Sequence, residues 1–255
     1  MIKIFGKVRQ KLLSENRFSK YLLYAIGEII LVVVGILIAL QINNWNEADK
    51  ERAIGNGYLN RIHSDLTKDT VYLQEKLAFA KSEQQSFIKY LRSIYEQQSD
   101  VEEFVELTSS VGWDAANLVL EDKTYVEITS SGKFSFIEND KIRDQIMDYY
   151  RKYAAADSHI SEMNQTGIAM FSAIYKKFIK YFDILQFLFD EEHLEQSNDW
   201  KFVNNPDSAE FKDLESVATF YYYKQTVFEN YYRELNLEAS KLIAAIEKEV
   251  VIPSD

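Results

Sequence analysis

Residues 21–42, YLLYAIGEIILVVVGILIALQI, form one apolar run interrupted by a single charge, Glu28. A helix of this length rises about 33 Å, enough to cross a ~30 Å hydrocarbon core with modest tilt. The rest of the chain has no comparable run. A single-span membrane protein is therefore expected, with a cytoplasmic segment 1–20, a transmembrane helix 21–42, a juxtamembrane connection 43–57 and a domain 58–255.

Charge sets the expected orientation. Lys3, Lys7, Arg9, Lys11, Arg17 and Lys20 precede the span against one acid, Glu15. Beyond Asn43-Asn44-Trp45-Asn46 comes the mixed run Glu47, Asp49, Lys50, Glu51 and Arg52. Basic residues stay on the cytoplasmic side, so the N-terminus is expected in the cytoplasm and the C-terminal domain outside. Tyr21, Tyr24 and Trp45 stand where interfacial aromatics are expected. The apolar run exceeds a signal-peptide core of about 7–15 residues, and no A-x-A-like site follows, so an uncleaved anchor is expected. Within residues 2–13, Ile2, Phe5, Val8, Leu12 and Leu13 can share one helical face. Lys3, Lys7, Arg9 and Lys11 would then meet the anionic surface of the bilayer. A basic tail without fixed structure is the alternative.

The chain carries a net charge of −11, and residues after the span are more acidic still. Such a domain repels phosphate backbones, so no nucleic-acid partner is expected. Cysteine is absent, which excludes disulfides, thiol catalysis and Cys-ligated metals. Two prolines and eight glycines leave long uninterrupted segments, and the fold class expected is all-α.

Leu59, Ile62, Leu66, Thr70, Leu73, Leu77, Ala80, Gln84, Phe87, Leu91 and Ile94 recur at three- and four-residue steps, predicting a helix over 58–97. Ser99 and Glu102 have capping-box spacing before Phe104, Leu107 and Val111. Thr124–Ser131 reads as a short helix stopped by Gly132. Asn139 or Asp140 caps a helix faced by Ile142, Ile146, Tyr149 or Tyr150, and Tyr153, expected to reach about 189 with a bend near Gly167. Leu214, Ala218, Tyr221, Gln225, Phe228, Tyr232, Leu235, Ala239, Leu242 and Ile246 keep strict four-three spacing over 208–250. Three long helices imply an antiparallel bundle with a small helical insert at 99–138.

Glu28 is the sharpest candidate for function. An acid inside a span normally faces protein or water. Glu28, Val32, Gly35, Ala39 and Ile42 fall on one helical face, and Gly35 with Ala39 forms a small-xxx-small pair. This face predicts a helix–helix contact in a homo-oligomer or with another membrane protein. A proton-relay role and a Glu28 reaching headgroup water are the other readings.

His63, His159 and His193 fall in separate segments, so no metal site is expected. Ser130-Ser131-Gly132 lacks a nucleophile context, no phosphate-binding glycine loop occurs, and neither a cofactor nor enzymatic activity is expected. Tyr149, Tyr150, Tyr153, Tyr221, Tyr222, Tyr223, Tyr231 and Tyr232 read as inter-helix packing with hydroxyls reaching the surface. A small-molecule pocket between helices is the competing reading.

The block from Lys11-Leu12-Leu13 through Tyr24-Ala25-Ile26-Gly27-Glu28 and Gly35-Ile36-Leu37 to Gln41-Ile42-Asn43-Asn44-Trp45-Asn46 resembles a family of membrane proteins of Bacteroidota, domain of unknown function 6090. Tyr58-Leu59-Asn60-Arg61-Ile62 and Ser131-Gly132-Lys133-Phe134 through Tyr149-Tyr150 are similar to it as well. The resemblance implies a short cytoplasmic N-terminus, one span and a helical outer domain, and it carries over no catalytic residue. A protein-interaction or scaffold module of the cell envelope is expected. The alternatives are a ligand-sensing or signal-transmitting protein and an accessory subunit of a proton-driven complex.

Overall fold

The computed structural model describes residues 18–96, 101–113, 115–178 and 200–250. The basic residues Lys3, Lys7, Arg9 and Lys11, the Ser99 cap, His193 and the expected continuation past 178 lie outside these residues. The elements are α1 (Phe18–Tyr95), α2 (Val101–Ser110), α3 (Lys123–Ser130), a 3-10 turn (Lys133–Phe136), α4 (Asp140–Phe178), a second 3-10 turn (Trp200–Asn204) and α5 (Ala209–Glu249). No strand occurs among the described residues.

Helix α1 runs for 78 residues and contains no proline. Segment 43–57, expected as a connection, lies inside it. Gly55 and Gly57 each cost about 1 kcal/mol relative to alanine, too little to break a helix with good formers on both sides. The chain divides into two compact units, one ending at Gly55 and one starting at Asn56. In the first unit the apolar residues are exposed, and Tyr24 and Ala25 are half-buried. The second unit holds the core.

Local signals in the second unit follow ordinary capping chemistry. Asn139 Oδ1 accepts from the Lys141 N–H at 3.1 Å and caps α4. Ser208 Oγ accepts from the Phe211 N–H at 3.1 Å and caps α5. Gly132, with φ of 71°, takes the left-handed position after α3, and its N–H reaches Thr129 O at 3.3 Å.

All ten positions predicted for the inner face of α5 are buried. On α1, Leu59, Ile62, Leu66, Leu73, Ala80, Phe87 and Ile94 are buried, while Thr70, Leu77, Gln84 and Leu91 are half-buried. Asp69, rather than Thr70, turns inward at the irregular step of the pattern. Two apolar clusters result. One gathers Leu66, Ile128, Ile146, Ile160, Leu235 and Ile246. The other is rich in aromatics, with Phe87, Tyr90 and Tyr221 packed around Trp113 and Phe104 against Tyr90.

Side-chain pairs set the register of the long helices. Between α4 and α5 these pairs are Asn139–Glu249, Lys152–Glu234 and His159–Tyr231, so numbers rise along one helix as they fall along the other. Between α1 and α5, His63–Glu247, Gln84–Glu229 and Tyr95–Glu215 show the same sense. Helix α4 passes Gly167 without interruption. A Cβ there would stand 3.2 Å from the Tyr221 ring, so the glycine serves close approach of α5.

Leu66 is fully buried and Val71 is exposed. Leu66→Ala is expected to destabilise the domain by about 2–5 kcal/mol. Val71→Ala should change stability by no more than about 0.5 kcal/mol. Chemical denaturation of both variants checks the register of α1.

Candidate functional site

Between α2 and α3 the chain leaves the helical state, and the described residues 111–113 and 115–122 form a strap with no regular structure of their own. A non-helical segment must find partners for its peptide groups elsewhere. Here those partners are side chains from all three long helices. The Gly112 N–H donates to Glu83 Oε2 at 2.7 Å, and the Glu121 N–H donates to Asp69 Oδ1 at 2.9 Å. Asn164 Nδ2 donates to Ala116 O at 2.9 Å, and the Tyr150 hydroxyl donates to Glu121 O at 3.2 Å. The Tyr221 hydroxyl donates to Trp113 O at 3.0 Å, while the Leu120 N–H reaches Tyr153 Oη at 3.5 Å. A Cβ at position 112 would overlap Glu83 Oε2, so a larger residue there would push the carboxylate aside.

These contacts revise the reading of the tyrosines. They do pack between helices, but several hydroxyls point inward and hold the strap. Tyr149 donates to Asp69 Oδ2 at 3.0 Å, and Tyr231 meets His159 Nδ1 at 2.8 Å. Tyr223 is the exposed exception. Trp113, which no periodicity singles out, anchors the strap by its ring. Its Nε1–H donates to Thr108 O at 2.9 Å, and its ring stacks on Phe171 at 5.2 Å.

A second set of ties holds α3. The Arg61 guanidinium grips the Glu127 carboxylate through two hydrogen bonds, at 2.6 and 3.1 Å, and the Tyr58 hydroxyl adds a third. Hydrogen bonding to Arg61 foremost, then to Tyr58, holds the Glu127 carboxyl well below the usual carboxylate range. Thr124 donates to Asp65, one turn beyond Arg61 on α1.

The structure places Glu28, Val32, Gly35, Ala39 and Ile42 on one face of α1, all exposed in the first unit. A Cβ at Gly35 would meet nothing within 4 Å. Among the described residues one helix is long and apolar enough to cross a membrane, and this segment is its apolar part. His63 pairs with Glu247 at 3.1 Å, and no group of three or more potential metal ligands converges among the described residues. Ser131 and Gly132 serve the turn after α3. Sequence periodicity did not single out Asp69, Glu83 or Lys224, whose burial only the tertiary structure reveals.

Asp69 is the chemically unusual group. Burial pushes its carboxyl up to about 6, opposed by its bonds to the Glu121 N–H and Tyr149 hydroxyl and reinforced by the nearby Asp65 and Glu121 charges. A carboxyl raised on folding binds its proton more tightly in the folded state. Its stabilising contribution is therefore complete below about pH 4 and is lost as pH rises through about 6. Nuclear magnetic resonance should show one carboxyl titrating near pH 6, absent in Asp69→Asn. The variant should also lose the decline in stability that this group produces across that window. Asp69→Leu leaves the Glu121 N–H without its acceptor and should cost about 1–3 kcal/mol.

No curated protein and no solved structure matches the chain. A family model described as a family of unknown function, DUF6090, matches residues 28–205. The matched stretch begins at Glu28, includes the rest of α1, the strap and α4, and ends just after the second 3-10 turn. With well over half of its length covered by that model, the chain belongs to the DUF6090 family of unknown function.

Proposed function

We propose that this chain is a single-pass protein of the bacterial inner membrane whose periplasmic domain, an antiparallel helical bundle with a small insert, is a protein-interaction module of the cell envelope. One observation carries the reading. Residues 22–42 present an apolar helix surface with no protein of the same unit packed over it. A contiguous apolar surface of this size is stable only under lipid or another protein. The basic residues of segment 1–20 support a cytoplasmic N-terminus.

The span then does more than anchor. Gly35 and Ala39 let a second helix approach closely, and Glu28 on the same face meets that helix instead of lipid. A second copy of the chain is the proposed partner, with a hydrogen bond at Glu28 as the polar contact. The role of the outer domain is to hold an envelope assembly together, and no chemical step is assigned to it.

Because the chain contains no cysteine, single substitutions report topology directly. A membrane-impermeant maleimide added to cells with a permeabilised outer membrane should label Ser130→Cys and leave Lys11→Cys unlabelled. The reverse pattern contradicts the orientation. Equal labelling of both sites in unlysed cells contradicts the span. In membranes, Gly35→Leu should weaken self-association at least about tenfold, the effect of losing roughly 1.4 kcal/mol of contact. Glu28→Gln keeps a hydrogen-bonding side chain and should remain associated, and activity unchanged by it excludes a proton relay.

A further inference from the structure

Beyond the apolar run, residues 43–54 of α1 lie within the first unit, and every one of them is exposed. Little in this stretch favours a lone helix. Asn43, Asn44, Asn46 and Asp49 are weak helix formers, and Glu47 repels Glu51 one turn on. Arg52 meets Asp49 at 3.5 Å, but both side chains are more than half exposed, and such a pair contributes little. A polar helix that its own chain leaves exposed on all sides takes its support from elsewhere. The distribution of side chains around the helix indicates where. At about 3.6 residues per turn, Asn46 stands about five turns beyond Glu28 on the same line, and Ala53 follows about two turns later. Lys50 flanks this line on one side and Asp49 on the other, while Glu47 and Glu51 lie well off it.

We propose that segment 43–54 pairs in parallel with the same segment of a second copy, along the line through Asn46 and Ala53. The inference rests on the proposed self-association of the span, because the line continues the face of Glu28, Gly35 and Ala39. Two spans inserted in the same sense lie parallel, and a two-fold axis between them makes each contact reciprocal. One flank of each helix then faces the opposite flank of the other. Each Asp49 carboxylate therefore stands beside the Lys50 ammonium of the other copy, and opposite charges meet on both sides of the seam.

Asn46 meets its own counterpart on the axis. A paired asparagine at such a position costs some stability and fixes both the register and the two-chain state. Ala53 is small enough to keep the two backbones close. The opposite line, through Ala48, would set Glu51 against Arg52, but within the span it runs onto Leu37 and Ile30. Those bulky side chains hold two backbones apart where Gly35 and Ala39 let them approach.

Single cysteines introduced into the full chain read the seam in native membranes, since the chain has none of its own. Mild oxidation should link Ala39→Cys, Asn46→Cys and Ala53→Cys into dimers at least about tenfold faster than Ala48→Cys or Glu51→Cys, because a disulfide needs Cα atoms within roughly 7 Å. Lys50→Glu should slow linking at Asn46→Cys roughly threefold, and adding Asp49→Lys should restore it, as a modest ion pair requires. Linking at Ala39 without linking at Asn46 or Ala53 overturns this inference and leaves the span contact standing. Linking at none of the three overturns both. Equal linking at Ala48, or no effect of Lys50→Glu, overturns the pairing of Asp49 with Lys50 across this seam.

Discussion

The peptide groups of a strap that is neither helix nor sheet dictate much of the polar chemistry inside this domain. Each buried N–H or C=O without a partner costs on the order of 1–3 kcal/mol, so a strap laid against helices is stable only if the helices answer it. They do so with Asp69 and Glu83 from α1, Tyr150 and Asn164 from α4, and Tyr221 from α5. The arrangement explains why Asp69, Glu83 and Asn164 occupy buried positions in an otherwise apolar interior. It also links all three long helices through one short segment, which brings Trp113 to the middle of the aromatic cluster.

The helices themselves were largely legible in the amino-acid pattern. The four-three spacing on α5 located every inner residue it named, because one stripe there faces apolar neighbours along the whole helix. On α1 the pattern faltered at 66–70, and the inward residue is Asp69, one position from the Thr70 that apolar stepping favours. Hydrophobic periodicity ranks an aspartate as a surface residue, and only the strap's need for an acceptor reverses that. Lys224 escaped notice for the same reason, as a lysine beside Gln225 reads as solvent-facing until the rings of Tyr221 and Phe228 are seen to enclose it. Segment 43–57, expected to connect span and domain, is helical, because without proline nothing interrupts the hydrogen-bond ladder of α1 there.

The two units solve different physical problems. From Asn56 onward, apolar side chains find partners within the chain, and the core is closed. Before Gly55 a helix exposes Leu, Ile and Val on every side, and its stability depends on what surrounds it. On the proposed membrane reading, the Glu28, Gly35 and Ala39 face is where that helix would meet protein rather than lipid. The family match covers residues 28–205, so Glu28, Gly35 and Ala39 fall within the matched stretch.

The claim on which the domain's architecture rests is that buried carboxylates hold the strap as firmly as the core holds together. Amide hydrogen exchange of the full chain tests it at the Gly112 and Glu121 N–H groups, bonded to Glu83 and Asp69. Exchange as slow as that of the Phe228 amide in the middle of α5 is expected, with both opening only when the core opens. Exchange at the rate of an exposed loop, while α5 stays protected, would contradict it.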